Sequence, residues 1–145
     1  MPLDPNPIKD ILYRTTARYL TIRPDAILVD RRPCTKLLVK VLAHGAARTL
    51  YRGRKPFCRS LDALRSTNGK LCAECDDLKN CTSQIRLHLL IQDRPYLLLL
   101  AYTSARNFLL YLGSLGPTTA QLRDLDTRIT VASRGSWGEL RFASA

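Results

Sequence analysis

The sequence predicts a mainly β fold: a small barrel of short strands, with one helix between strands and a four-cysteine loop inserted among them. Three observations lead there. Apolar and polar residues alternate with period two in several segments from Thr35 onward. A single later segment, "TSARNFLLYLGSLG" (103–116), has helical spacing instead. Four of the five cysteines (Cys58, Cys72, Cys75, Cys81) fall in one polar stretch between two strand-like segments.

Along the chain, prolines 2, 5, 7 and 24 punctuate the N-terminal region, where Ile8, Ile11, Leu12 and Tyr19 allow a short helix over 8–19. "AILVD" (26–30) reads as a short strand before an "RRP" break. "TKLLVKVLA" (35–43) sets Leu37, Val39 and Val41 on one face and Lys36 and Lys40 on the other, a strand pattern. Gly45 is expected to turn the chain into a second strand over 47–52.

After the cysteine stretch, "QIRLHLLIQ" (84–92) points Ile85, Leu87, Leu89 and Ile91 one way and Arg86 and His88 the other. "DRP" is a turn, and "YLLLLAY" (96–102) is apolar on both faces, as in a doubly covered strand. Thr103 or Ser104 can cap the helix; Phe108, Leu109, Leu112 and Leu115 form its apolar stripe, and Gly116–Pro117 end it. "TTAQLRDLD" forms a short helix or loop. "TRITVAS" (127–133) points Ile129 and Val131 inward. Arg134 and Gly135 turn the chain into "SWGELRFA" (136–143), with Leu140 and Phe142 inward and Trp137, Glu139 and Arg141 outward.

An OB-fold places its helix between the third and fourth strands and ends in a hairpin. If one early strand pair is a single bent strand, this order is OB-fold-like; a β-sandwich with a helix plug is the competitor. Residues 1–33 are then an extension and first strand packed on the barrel, and residues 34–145 the barrel, with the loop insert at 56–83.

At 145 residues and 46% hydrophobic content, the chain suits one domain with a real core. No apolar run reaches 18 residues, so no membrane span is expected. "MPLDPNPIKD" lacks the pattern of a secretory signal, which leads us to expect a cytoplasmic setting with reduced thiols. The formal net charge is +11, with 17 of 23 cationic residues arginine. Such a chain is expected to meet a polyanion, and guanidinium groups suit phosphates and bases. An acidic protein partner, or arginine excess from G- and C-rich coding, would also fit.

The cysteine spacing is C-x13-C-x2-C-x5-C. A C-x2-C hook grips one tetrahedral ion from a tight turn, and Cys58 and Cys81 would return from either side to complete the set. Structural zinc on Cys58, Cys72, Cys75 and Cys81 is the leading expectation. An iron–sulfur cluster is less favoured, and disulfides or free thiols remain open. Asp76 and Asp77 read as solvated loop charges, Gly69 as a turn residue and Cys34 as an isolated thiol. His44 or His88 as substitute ligands rank below the four thiols.

The densest basic run brackets this insert: Arg48, Arg52, Arg54, Lys55 and Arg59, with Lys70 inside it and Tyr51 and Phe57 interleaved. Cations for phosphates and flat surfaces for unpaired bases suit a single strand. Outward strand positions add Lys40, Arg86, Arg128, Trp137 and Arg141. A solvated loop, and a half-buried Trp137, are the plainer readings of the same residues. No paired carboxylates, phosphate-cradling glycine loop or nucleophile elbow is present, so no enzyme is expected.

Four blocks resemble known proteins in their order. "PFCRSLDALRSTNGKLCAECDDLKNC" resembles a cysteine insert in small OB-fold-like, zinc-binding proteins of phages and mobile elements. "YTSARNFLLYLGSLG", "DTRITVAS" and "WGELRFA" resemble the segments that follow it, so the similarity spans roughly residues 56–143. The resemblance implies single-stranded nucleic-acid binding, DNA ahead of RNA, in replication or recombination. The alternatives are a protein-interaction adaptor or inhibitor, or a subunit of a larger nucleoprotein complex; a homo-oligomer is compatible with each.

Overall fold

The computed structural model describes residues 18–116 and 119–145. The expected helix over 8–19 lies outside them, except that Arg18–Tyr19 forms a two-residue strand, β1. Among the described residues the protein is mainly β, with one α-helix. The other strands are β2 (Thr21–Ile22), β3 (Ile27–Val29), β4 (Arg32–Cys34), β5 (Lys36–Arg52), β6 (Lys55–Ser60), β7 (Thr82–Ile91), β8 (Arg94–Ala101), β9 (Thr127–Ser133) and β10 (Gly138–Ser144). The helix, α1, is Tyr102–Ser114.

Two sheets result. The larger runs β1-β8-β7-β5-β9-β10, with β6 paired on β5; β2-β3-β4 form the smaller. The "RRP" break expected after 26–30 is instead a hairpin. Asp30 and Arg31 both take positive φ between the paired Val29 and Arg32, the geometry of a two-residue primed turn. Pro33 fits because β4 is an edge strand, where a missing N–H is tolerated. Gln92 and Asp93 repeat the same device between β7 and β8.

The two strands expected around a Gly45 turn are one strand of 17 residues, β5. Its register shifts between Val41 and Ala43, a bulge that bends the strand. Gly45 stays within the ladder, opposite Arg86. A Cβ there would stand 2.6 Å from an Arg86 terminal nitrogen, so the glycine makes room for that side chain rather than for a turn. β5 then carries β6, β7 and β9 along its length.

The sheet does not close into a barrel, contrary to expectation. Among the described residues β8 and β10 do not pair; the free side of β8 takes the short parallel β1 instead. α1 packs against β10, β8 and β7 and covers the core across that opening. The core gathers Leu37, Val39, Val41, Leu87, Leu89, Leu98, Leu100, Phe108, Ile129 and Leu140, with Ile27 from β3 and Leu20 from between β1 and β2. Burying these apolar surfaces is the main force holding the sheet and helix together.

α1 ends as expected, with Gly116 at φ +80 just past its C-cap, but departs from its expected N-cap and from part of its stripe. Its N-cap is Ala101 with no side-chain cap. Ser104 is buried and accepts a 2.9 Å hydrogen bond from the Leu140 amide, which fixes the helix to β10. Phe108 is buried as expected, but Leu109 is 55% exposed and Tyr111 takes the inward place, its hydroxyl 2.8 Å from Thr127 Oγ1. Among the described residues, no helix is long and apolar enough to cross a membrane.

Candidate metal centre and nucleic-acid interface

The cysteine stretch begins on a strand, not in a loop. Gly53, with φ +65, turns β5 into β6 so that Arg52 pairs with Lys55. Cys58 therefore stands on β6 opposite Leu50. Beyond β6, Asp62 Oδ1 accepts from Ser60 Oγ and from the amides of Leu64 and Arg65, an Asx-type turn. The Thr67 amide bonds the Arg59 carbonyl and the Cys72 amide bonds the Leu64 carbonyl, folding the loop back on the strand. Gly69, at φ +92, is the turn residue the sequence indicates. Two 3-10 turns follow, Cys72–Glu74 and Leu78–Asn80, with Cys75 and Cys81 as their C-terminal caps.

This path brings all four cysteines to one pocket of about 30 Å³, shared with Arg48, Leu50, Ser60, Lys70 and Leu71. That volume suits an ion or a water, not an organic ligand. All four thiols are free and partly buried. They share a pocket without closing to ligand spacing: among the described residues, no three His, Cys, Asp or Glu side chains stand grouped for a metal as they are. The electrostatics do bring them together. Burial, then the charges of Cys75, Cys58 and Cys72, push the Cys81 thiol above its ordinary pKa, and Arg48 pulls it down. Arg48 Nε is buried without a hydrogen-bond partner among the described residues, in the wall of the same pocket. A buried, unpaired guanidinium N–H beside four sulfurs fits thiolates, which would accept from it.

On the neighbouring surface the structure separates the expected nucleic-acid contacts. Arg52, Arg54 and Lys55 are exposed around the β5–β6 turn. The Arg52 guanidinium stacks 3.6 Å from the centroid of the Phe57 ring. Arg59 lies 4.8 Å from the ring centroid of Tyr19, which the sequence offers no signal to select. A buried polar relay orients this group. Arg59 Nε donates to Thr49 Oγ1 (3.4 Å), Thr49 donates to Gln84 Oε1 (2.6 Å), and Gln84 Nε2 donates to the Tyr51 hydroxyl (3.2 Å).

The remaining candidates fall elsewhere. Lys40 is paired with Asp126 at 3.3 Å. Arg86, expected to face outward, is half-buried across Gly45, and its partner in that pattern, His88, is buried, because the other face of β7 is also covered. Glu139, expected to face solvent, is buried and held by Arg141 at 3.0 Å and Arg134 at 3.3 Å, so Arg141 is neutralised. Trp137 is 45% exposed but sits in the turn before β10, not on the strand. Arg128 is exposed on β9. The β9–β10 hairpin has no pairing with β6. The cluster that forms is therefore Arg52, Arg54, Lys55, Arg59, Phe57 and Tyr19, bordering the thiol pocket.

Comparison with protein-family models, curated proteins and solved structures returned no match, so site geometry alone bears on function.

Proposed function

We propose that the protein binds single-stranded nucleic acid, DNA ahead of RNA, without catalysis, and that zinc held by Cys58, Cys72, Cys75 and Cys81 orders the binding surface. The observation that carries this reading is the run of exposed cations and aromatics on the β5–β6 hairpin, beside four thiols that share one pocket. Cations with flat faces suit a strand whose bases are unpaired. An ion of the zinc class would tie Cys58 on β6 to the three cysteines of the loop and so stiffen one wall of the surface. The strand order β8-β7-β5-β9-β10, with α1 between the third and fourth of the long strands in sequence once β6 is set aside, favours an OB-type arrangement opened between β8 and β10. Replication or recombination of a phage or mobile element is the setting drawn from the resemblance of the cysteine insert and the blocks after it.

Titration of labelled single- and double-stranded oligonucleotides at two salt concentrations tests the reading. Tighter binding to single strands that weakens with salt is expected, because phosphate contacts release counterions. No binding at low salt, or binding indifferent to salt, overturns it.

A second reading, a protein-interaction module, draws on Leu109 and Leu110, which are exposed on α1 beside a groove floored by Tyr111 and Phe142. Recovery of one stoichiometric protein after nuclease treatment, with loss on Leu110→Ser, would favour it.

A further inference from the structure

We infer that Tyr19, Phe57, Arg59, Thr67 and Asn68 form a discrete subsite for one unpaired nucleobase and its adjoining phosphate; the inference rests on the nucleic-acid reading above. These five residues, with Pro56 and Cys58, line a hollow of about 340 Å³ between β1, β6 and the cysteine loop. That volume lies in the range of small-ligand sites.

Its walls have the chemistry of a base and a phosphate. Tyr19 and Phe57 are 43% and 59% exposed, so both rings keep exposed surface in one hollow although a guanidinium lies over one face of each. Stacking on aromatic faces does not depend on base identity, because every base has a π-face. Arg59 already lies over Tyr19, showing that the ring accepts a planar cation on its face. Arg52 lies over the Phe57 ring in the same way. Asn68 Oδ1 is engaged by Ser66 Oγ and approached by the Lys70 amide, which leaves its amide nitrogen as the donor for a base edge.

The backbone fixes these groups in place. The pairing of β5 with β6 runs Leu50 to Cys58 and then Tyr51 to Pro56, so Phe57 is the extra residue of a bulge. Bulges re-aim a side chain. Here the displaced residue is the exposed aromatic, while Cys58 and Ser60 on the same strand line the thiol pocket. Thr67, hydrogen-bonded through its amide to the Arg59 carbonyl at 2.9 Å, joins the loop wall to the strand wall. Closing the thiols on a metal would therefore hold both walls of the subsite.

The test compares a dT oligonucleotide of roughly 16 nucleotides, about the upper site size of one such fold, with an abasic strand of the same length, by fluorescence anisotropy. Wild-type protein is expected to prefer dT. Tyr19→Ala and Phe57→Ala should each weaken dT binding roughly tenfold and leave abasic binding unchanged. Phe57→Trp should restore the preference, which separates stacking from a folding defect. Wild-type binding of dT that the two alanine variants do not alter overturns the subsite and leaves the nucleic-acid reading standing. Binding of neither strand by the wild type overturns both.

Discussion

Arg48 opposes the other thiols at Cys81. Burial first, then Cys75, Cys58 and Cys72, raise the pKa of that thiol, while the guanidinium lowers it from the wall of the same pocket. Four thiolates on one divalent ion carry a net charge of −2, and a buried cation is the group that makes such a charge tolerable.

Metal analysis of the purified chain should find about one zinc per protein, since one closed four-thiolate site holds one ion. Arg48→Ala should weaken retention against a chelator by roughly 10- to 100-fold, the usual effect of removing a partner behind the ligands. Cys72→Ser with Cys75→Ser should abolish retention and lower Tm, whereas Cys34→Ser, outside the pocket, should leave retention intact. Metal-free protein whose melting is unmoved by the double substitution would refute the centre.

Thr49 is fully buried and sits at the centre of the relay from Arg59 to Gln84. Thr49→Val keeps its shape and β-branching but removes the hydroxyl. Gln84 Oε1 then loses its donor in the interior, a loss of about 1–3 kcal/mol. Urea denaturation reads it as a lower midpoint with unchanged m. Freed of its Thr49 contact, Arg59 should also move, and oligonucleotide affinity should fall beyond what stability explains.

The cluster and the scattered cations should separate by salt. Replacing Arg54 or Lys55 with alanine should reduce the slope of log affinity against log salt by about one each, weakening binding evenly across sequences. Arg141→Ala and Lys40→Ala should leave the slope unchanged, because Glu139 and Asp126 already neutralise those side chains. Equal slopes for all four variants would place the strand elsewhere.

Much of the β architecture was legible from alternation alone, since period-two patterning reports one covered face directly. That is why Leu37, Val39, Val41, Leu87, Leu89, Ile129 and Leu140 lie inside as read. Failures arose where residues make tertiary rather than local contacts. Gly45 looks like a turn, but its reason is Arg86 across the sheet. Glu139 looks like solvent, but two arginines take it inside. The cysteine spacing marked the thiol pocket, yet nothing local could say that Arg48 joins it. Tyr19 belongs to the basic surface only because β1 pairs with β8, a contact made across most of the chain.

Acid sensitivity should trace to Glu139 and Asp30. Glu139 is held below the usual carboxylate range by its hydrogen bond to Arg141, and Asp30 by its hydrogen bond to Tyr96. The unfolded chain binds these protons more readily than the folded one, so stability rises with pH across their titration. The contribution is complete above the ordinary carboxylate values and is lost as pH falls through the depressed ones. Tyr96, raised by the same bond to Asp30, acts in reverse: its contribution is present below its ordinary value and lost as pH rises through the raised one. Glu139→Gln should lower Tm at neutral pH and flatten the acid limb of Tm against pH while leaving the alkaline limb unchanged. An acid limb as steep as that of the wild type would remove Glu139 from the account.

Two glycines make opposite predictions for the same change. At Gly138 an added Cβ would meet the Arg23 carbonyl at 2.3 Å and Val131 Cγ1 at 3.2 Å. The first obstacle is backbone and cannot rotate away, so Gly138→Ala must push the 18–34 segment off β10 or distort the β9–β10 turn. Overpacking of this kind destabilises by about 1–3 kcal/mol. At Gly113, inside α1, a Cβ would meet nothing within 4 Å and the backbone is already helical. Gly113→Ala there removes unfolded-chain freedom and should stabilise by about 0.4–1 kcal/mol. Chemical denaturation of both variants checks the pair. A neutral Gly138→Ala would mean that the Arg23 carbonyl does not rest on Gly138 at the start of β10.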